Sequence, residues 1–216
     1  MKKIAVILSG CGVFDGAEIH EATLTMLAIK KAGCDYRIFA PDREQADVMN
    51  HLTGKPARES RNVLVEAARI ARGKAESLTE FKADEYDALI MPGGFGAAKN
   101  LCDFASKGAD FAVIPELEKA LKRMNELGKP IGALCISPVI LAKVFKGCEV
   151  TVGAKGGESA IIEQIGSTHV EKSHAELAID RKYKLVTTPC YMLDADIVQI
   201  AEGADNLVKA VIDLCV

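Results

Sequence analysis

Lys129-Pro130-Ile131-Gly132-Ala133-Leu134-Cys135-Ile136-Ser137-Pro138 reads as a short apolar strand that runs into a cysteine and then directly into a helix beginning near Pro138. Small residues, Ala133 and Ser137, stand two places to either side of Cys135. A nucleophile on a sharp strand-to-helix turn needs that spacing, because the tight turn forces neighbouring side chains together. Such a turn presents its side chain at the carboxyl end of a sheet. It also sets the sulfur near a helix N-terminus, whose partial positive charge favours a thiolate. The plainer alternative is a core cysteine, since free Cys is among the most buried residue types.

Upstream, residues 3–8 (K-I-A-V-I-L) form a continuous apolar run, as expected of a strand covered on both faces. Ser9-Gly10-Cys11-Gly12 breaks it. Asp15 and Glu18 then complete a D-x-x-E capping box, which predicts a helix over about 16–32 that stops at Gly33. Inside that helix Glu21 stands out: Leu24 and Thr25 follow it at i+3 and i+4, so no lysine answers it on its own helix. A carboxylate among apolar neighbours acquires a raised pKa or finds a partner elsewhere; the alternative is a solvated first-turn acid favoured by the helix dipole. Residues 36–40 form a second strand, and the β-α-β pattern implies a parallel sheet with a right-handed crossover. Residues 43–73 are less regular, with a helix over about 61–72, and read as an insertion on the basic unit. Residues 86–91 (Y-D-A-L-I-M) form a strand that ends in Pro92-Gly93-Gly94-Phe95-Gly96, where two glycines free backbone N–H groups for an anion cradle or oxyanion hole. Residues 115–127 form an amphipathic helix ending at Gly128.

Downstream of Cys135, a strand is expected over 150–153, a helix over 158–165, and a short strand over 168–170. A hairpin pairs 177–180 with 184–188. A final helix, capped by Asp194 or Asp196, runs to about Cys215. The alternation predicts a flavodoxin-like α/β sandwich, a single domain over 1–216, with a largely parallel central sheet and a nucleophile elbow.

The chain has 216 residues, 49% of them hydrophobic, and a net charge of -3. That balance offers no electrostatic case for nucleic acid or an anionic membrane, and no apolar run approaches a bilayer-spanning length. Seven cysteines, odd in number and widely spaced with no C-x-x-C pair, fit reduced thiols in a cytoplasmic protein. His20, His51, His169 and His174 show no ligand spacing, so no metal is expected. His51, in the insertion, could reach the site, but for a lone histidine a structural place is the stronger reading. Gly10-Cys11-Gly12 with Asp42 imitates a dinucleotide fingerprint, but Asp15 occupies the third glycine's place and Gly16 comes one residue late, so no nucleotide cofactor is expected.

In open α/β sheets the site lies beyond the carboxyl ends of the strands. The first strand's end leads to Glu21, the 86–91 strand ends at Gly93-Gly94, and the third carries Cys135. A nucleophile, an acid and backbone donors therefore converge on one crevice.

The motifs Ser9-Gly10-Cys11-Gly12, Glu18-Ile19-His20-Glu21-Ala22, Asn50-His51-Leu52-Thr53-Gly54 and Pro92-Gly93-Gly94-Phe95-Gly96 resemble the ThiJ/PfpI superfamily of class I glutamine-amidotransferase-like proteins, and within it the ElbB-type branch. The likeness covers nearly the whole chain. It implies a reactive Cys135, a first-helix acid at Glu21, and oxyanion donors at the Gly94 and Ile136 N–H groups. It further implies a cofactor-free glyoxalase, a lyase of the hydro-lyase type with a possible deglycase-like side, acting on small aldehydes and assembled as a homodimer. Where several superfamily members carry a histidine after the cysteine, this chain has Ile136. His174-Ala175-Glu176 imitates an amidotransferase H-x-E but falls too soon after Cys135 and just before a strand, so a glutaminase triad is not expected. The alternative function is a cysteine-based redox sensor or regulatory binding protein connected with isoprenoid metabolism, with Cys11 or Cys190 as a resolving thiol.

Overall fold

A computed structural model describes residues 1–215. Seven strands form one sheet: β1 (Lys3–Ile7), β2 (Asp35–Ala40), β5 (Ala75–Ser77), β6 (Ala88–Met91), β7 (Ile131–Leu134), β10 (Ala178–Asp180) and β11 (Leu185–Thr188). Their order is β10-β11-β7-β6-β1-β2-β5. All pairs are parallel except β10 with β11, the expected hairpin. Two short ribbons lie outside it: β3 (Met49–Asn50) with β4 (Lys55–Pro56), and β8 (Glu149–Val150) with β9 (Thr168–His169).

The continuous apolar runs arise because both sheet faces are covered. Ile4, Val6 and Leu8 face one core with α1 (Ile19–Lys31), α2 (Val63–Ile70) and α8 (Ile197–Leu214). Ala5 and Ile7 face the other, with α3 (Phe95–Lys99), α4 (Phe104–Lys107), α5 (Pro115–Glu126), α6 (Pro138–Val144) and α7 (Gly157–Gln164). Leu89 and Ile90 divide between the two cores in the same way, as period-two alternation requires. The chain moves outward from β1 through β2 to β5, then returns to lay β6 on the other side of β1. That reversal opens a crevice at the carboxyl ends of β1 and β6, beside β7.

Three local expectations need correction. The first helix begins at Ile19 with Glu18 as its cap, not near Gly16 with Asp15 as its cap. Residues 12–17 are used up by a tight loop, in which Gly12 N–H donates to Ala17 O at 2.8 Å and Gly16 N–H to Gly12 O at 2.7 Å. Asp15 instead turns to the 43–73 segment and accepts the Met49 N–H at 2.7 Å. Second, β8 stops at Val150 rather than at Gly153, because the Thr151 N–H donates to Thr187 Oγ1 at 2.9 Å and leaves the strand ladder. Third, β5, which forms the sheet edge beyond β2, has no counterpart in the sequence reading.

Asp196, not Asp194, caps α8. Its Oδ1 accepts the Val198 and Gln199 N–H groups at 2.8 and 2.9 Å, and Gln199 Oε1 accepts the Asp196 N–H at 2.9 Å. Asp196→Ala is expected to cost about 1 kcal/mol in a denaturant titration.

Candidate active site

Cys135 follows β7 with φ at +59°, a left-handed conformation that costs a non-glycine residue roughly 1–2 kcal/mol. Hydrogen bonds hold the turn in place: Cys135 N–H to Thr188 O at 3.0 Å, Ser137 N–H to Leu134 O at 3.0 Å, and Ser137 Oγ to Pro92 O at 2.7 Å. The last bond ties the elbow to the loop after β6. Ser137→Ala would leave that buried carbonyl without its partner and is expected to cost about 1–3 kcal/mol by chemical denaturation.

Gly93 and Gly94 close the gap between the elbow and α1. A Cβ on Gly93 would lie 2.4 Å from Cys135 Cβ and 2.8 Å from Glu21 Oε2, so nothing larger fits. Gly94 has φ at +95°, and a Cβ there would lie 2.4 Å from Glu18 N. The Glu18 N–H donates to Gly93 O at 2.9 Å, which fastens the start of α1 onto this turn. Glu21, fully buried, therefore lands on the cysteine. Its Oε2 accepts the Gly93 N–H at 2.9 Å and its Oε1 the Tyr191 N–H at 3.3 Å. Its Oε2 and the Cys135 sulfur border the same space, a Cβ on Gly93 lying 2.8 Å from one and 2.9 Å from the other, and the Gly94 and Ile136 N–H groups lie close enough to favour the sulfur's anion. The four residues singled out by sequence thus meet at one sulfur.

Burial, and then the neighbouring Glu18 charge, raise the Glu21 pKa to about 8, against the pull of the Gly93 and Tyr191 N–H groups and of Cys135. Glu21 is therefore protonated at neutral pH. The thiol differs from expectation. Its position near a helix start suggested a depressed pKa, but burial, and next a Glu21 charge, push it well upward against the Gly94 and Ile136 N–H groups. While Glu21 holds its proton the second cause is absent. The pair then loses its first proton as a unit. By these directions the first proton comes from Glu21, whose carboxylate then faces the Cys135 thiol as a base.

Cys135 is 7% exposed and forms part of the wall of a cavity of about 710 Å³. Phe95, Phe104, Ile161 and Met192 give it apolar walls, and Glu18, Glu158 and Tyr191 bring polar groups. Sequence reasoning assigned Glu18 only to a helix cap. It does cap α1, its Oε2 accepting the Glu21 N–H at 2.7 Å, and it also lines the cavity. The signal was present in E-x-x-E, since residues three apart share a helix face. No histidine lines the cavity among the described residues. His20 Nδ1 hydrogen-bonds the Tyr191 hydroxyl at 2.8 Å. His51 is held between Met49 O and the Phe14 N–H, so it closes the 10–15 loop and does not reach the cavity. His169 accepts the Val152 N–H. Cys190 lies buried near Cys135 and Glu21, whose charges add to burial in raising its pKa. Cys11 sits outside the cavity near Glu66 and Arg69.

Residues 2–189 match the DJ-1/PfpI family. The chain is 45% identical to the ES1 protein homolog, mitochondrial, of Rattus norvegicus, over 98% of this chain and 84% of that protein. It is also 45% identical to glutamine amidotransferase-like class 1 domain-containing protein 3, mitochondrial, of Homo sapiens, over 98% of this chain and 83% of that one. Among solved structures, an isoprenoid biosynthesis protein with an amidotransferase-like domain from Ehrlichia chaffeensis superimposes with a TM-score of 0.91 and 31% identity, covering 98% of this chain and 99% of that chain. The two mitochondrial relatives overturn the expectation of a cytoplasmic protein. Reduced, widely spaced cysteines and the lack of an apolar span describe any aqueous reducing compartment, and the cytoplasm is only one of these. The match over residues 2–189 and the near full-length relatives agree with the elbow and its flavodoxin-like sheet: the chain belongs to the DJ-1/PfpI family.

Proposed function

We propose that this protein is a cofactor-free glyoxalase that converts glyoxal and related 1,2-dicarbonyls to hydroxy acids. The observation that carries the reading is the fully buried Glu21 carboxyl, held by the Gly93 N–H beside the cavity-lining Cys135 sulfur. When the pair has lost one proton, the Glu21 carboxylate takes the thiol proton as the sulfur adds to an aldehyde carbon. A C–S bond forms, the carbonyl π bond breaks, and the oxygen takes up a proton as the hemithioacetal. The Gly94 and Ile136 N–H groups, released from the sulfur's charge, stabilise that oxygen as it becomes negative. Glu21 relays the proton removed from the first carbon to the second through an enediol. The first carbon is oxidised to a thioester and the second reduced to an alcohol, so no external oxidant is needed. Water then cleaves the thioester, giving glycolate and the free thiol.

The test is purified protein with glyoxal, followed by proton NMR for glycolate. Turnover is expected, and Cys135→Ala is expected to fall by at least about a thousandfold. Glycolate formation at an undiminished rate in that variant would remove the reading. Because the active species is the pair after loss of one proton, kcat/KM is expected to rise with pH up to about 8 and level off above it. A flat profile between pH 6 and 8 would contradict that assignment.

A second reading is a thiol sensor, supported by Cys190 buried near Cys135. Selective oxidation of Cys135 by peroxide, with no dicarbonyl turnover, would favour it.

A further inference from the structure

Glyoxal occupies only a small part of the cavity, whose volume of about 710 Å³ lies in the range that holds drug-sized ligands. The space has a sign. Glu18 from the start of α1 and Glu158 from the first turn of α7 both line it, and no Lys, Arg or His does. Neither carboxylate forms an ion pair among the described residues. Glu18 is more than nine-tenths buried, and only its Oε2 is engaged, by the Glu21 N–H. Its Oε1 has no protein donor among the described residues. That oxygen keeps its access to solvent, so on the cavity wall it is open to a ligand's donor in place of water. Phe104, Ile161 and Met192 supply apolar surface between these polar points.

We infer that the cavity selects cation-bearing electrophiles: 2-oxoaldehydes whose reactive carbonyl reaches Cys135 while an apolar linker carries an ammonium or guanidinium group to Glu158 and Glu18. This inference rests on the glyoxalase reading of the same site and names its substrate class. Carboxylate- and phosphate-bearing carbonyls meet like charge and are disfavoured. A cation beside Glu18 also offsets the charge that Glu18 exerts on Glu21, so the right substrate makes the Glu21 proton easier to move.

Two probe pairs test it. The first compares kcat/KM for para-aminomethyl phenylglyoxal and para-carboxy phenylglyoxal. The second compares labelling of Cys135, read by peptide mass spectrometry, by trimethylammonium-ethyl and sulfonatoethyl methanethiosulfonate, each rate divided by its rate with a simple thiol. Both ratios are expected to favour the cation by at least about tenfold. Glu158→Gln should bring them toward one, and Glu158→Lys should reverse them. Reading a ratio within each variant cancels any general loss from the substitution. If no dicarbonyl is turned over, the glyoxalase reading falls, while the reagent pair still decides the charge preference. Ratios at or below one, or no labelling of Cys135 by either reagent, would overturn the inference.

Discussion

Glu21→Gln is expected to lower glyoxal turnover by about a hundred- to ten-thousandfold and to flatten the pH dependence of the protein's stability. Glutamine keeps the size of the side chain but cannot relay a proton. It also offers one acceptor where the carboxyl offers two, so the Gly93 and Tyr191 N–H groups cannot both be satisfied. The stability effect follows from linkage. Glu21 ionises at the ordinary 4.5 when unfolded and at about 8 in the folded protein. Between those values the native state holds a proton that the unfolded chain has lost. The stabilisation is therefore complete below pH 4.5 and is lost as pH rises through about 8. The slope within that window is about 1.4 kcal/mol per pH unit. Urea midpoints at several pH values from 5 to 7.5 should decline more steeply for the wild type than for Glu21→Gln. Parallel curves would show that Glu21 is not held in its acid form.

Gly93→Ala is expected to damage the site through backbone geometry alone, with every reacting group still present. Its methyl would fall 2.4 Å from Cys135 Cβ, 2.8 Å from Glu21 Oε2 and 2.9 Å from Cys135 Sγ. None of these atoms is the free end of a flexible side chain. Cys135 is pinned by its own elbow, and Glu21 by two N–H groups. Relief must come from moving β6's terminal loop away from α1, which strains the Glu18 N–H bond to Gly93 O. Overpacking of this kind costs about 1–3 kcal/mol. A displacement of the order of an ångström in the reacting groups lowers turnover by about a hundredfold. Thermal denaturation and glycolate NMR on one preparation would measure both. Wild-type turnover in Gly93→Ala would show that the observed proximity of Glu21 and Cys135 is not required.

What could be read from the sequence was what local patterns determine. A run such as K-I-A-V-I-L is apolar throughout because helices cover both faces, and the composition alone shows it. The elbow was legible because a tight turn demands small neighbours at Ala133 and Ser137, both fully buried in the structure. Glu21 was legible as an unanswered acid on an apolar helix. What was missed depends on contacts distant in the chain. Tyr191, which orients Glu21 through its N–H, lies 170 residues away. Glu158 reaches the cavity from a helix on the opposite side of the sheet from Glu21, so no spacing could join them. Asp15 had the right spacing for a cap, but the distant Met49 N–H competed for it and won. The upward shift of the thiol escaped notice for a related reason. A helix start is visible in sequence, whereas the protein that buries Cys135 comes from β11, α1 and the loop after β6. Desolvation there outweighs the dipole of a helix only two turns long.

The claim on which the rest depends is that Glu21 carries a proton at neutral pH against the Cys135 sulfur. Carbon-13 NMR of protein labelled at the glutamate side-chain carboxyls measures this directly, with Glu21→Gln identifying the resonance. The Glu21 signal should lie at the position of a neutral carboxylic acid at pH 7 and begin to move only toward about 8. A Glu21 signal that titrates fully below about pH 5, as an ordinary glutamate does, would contradict the account.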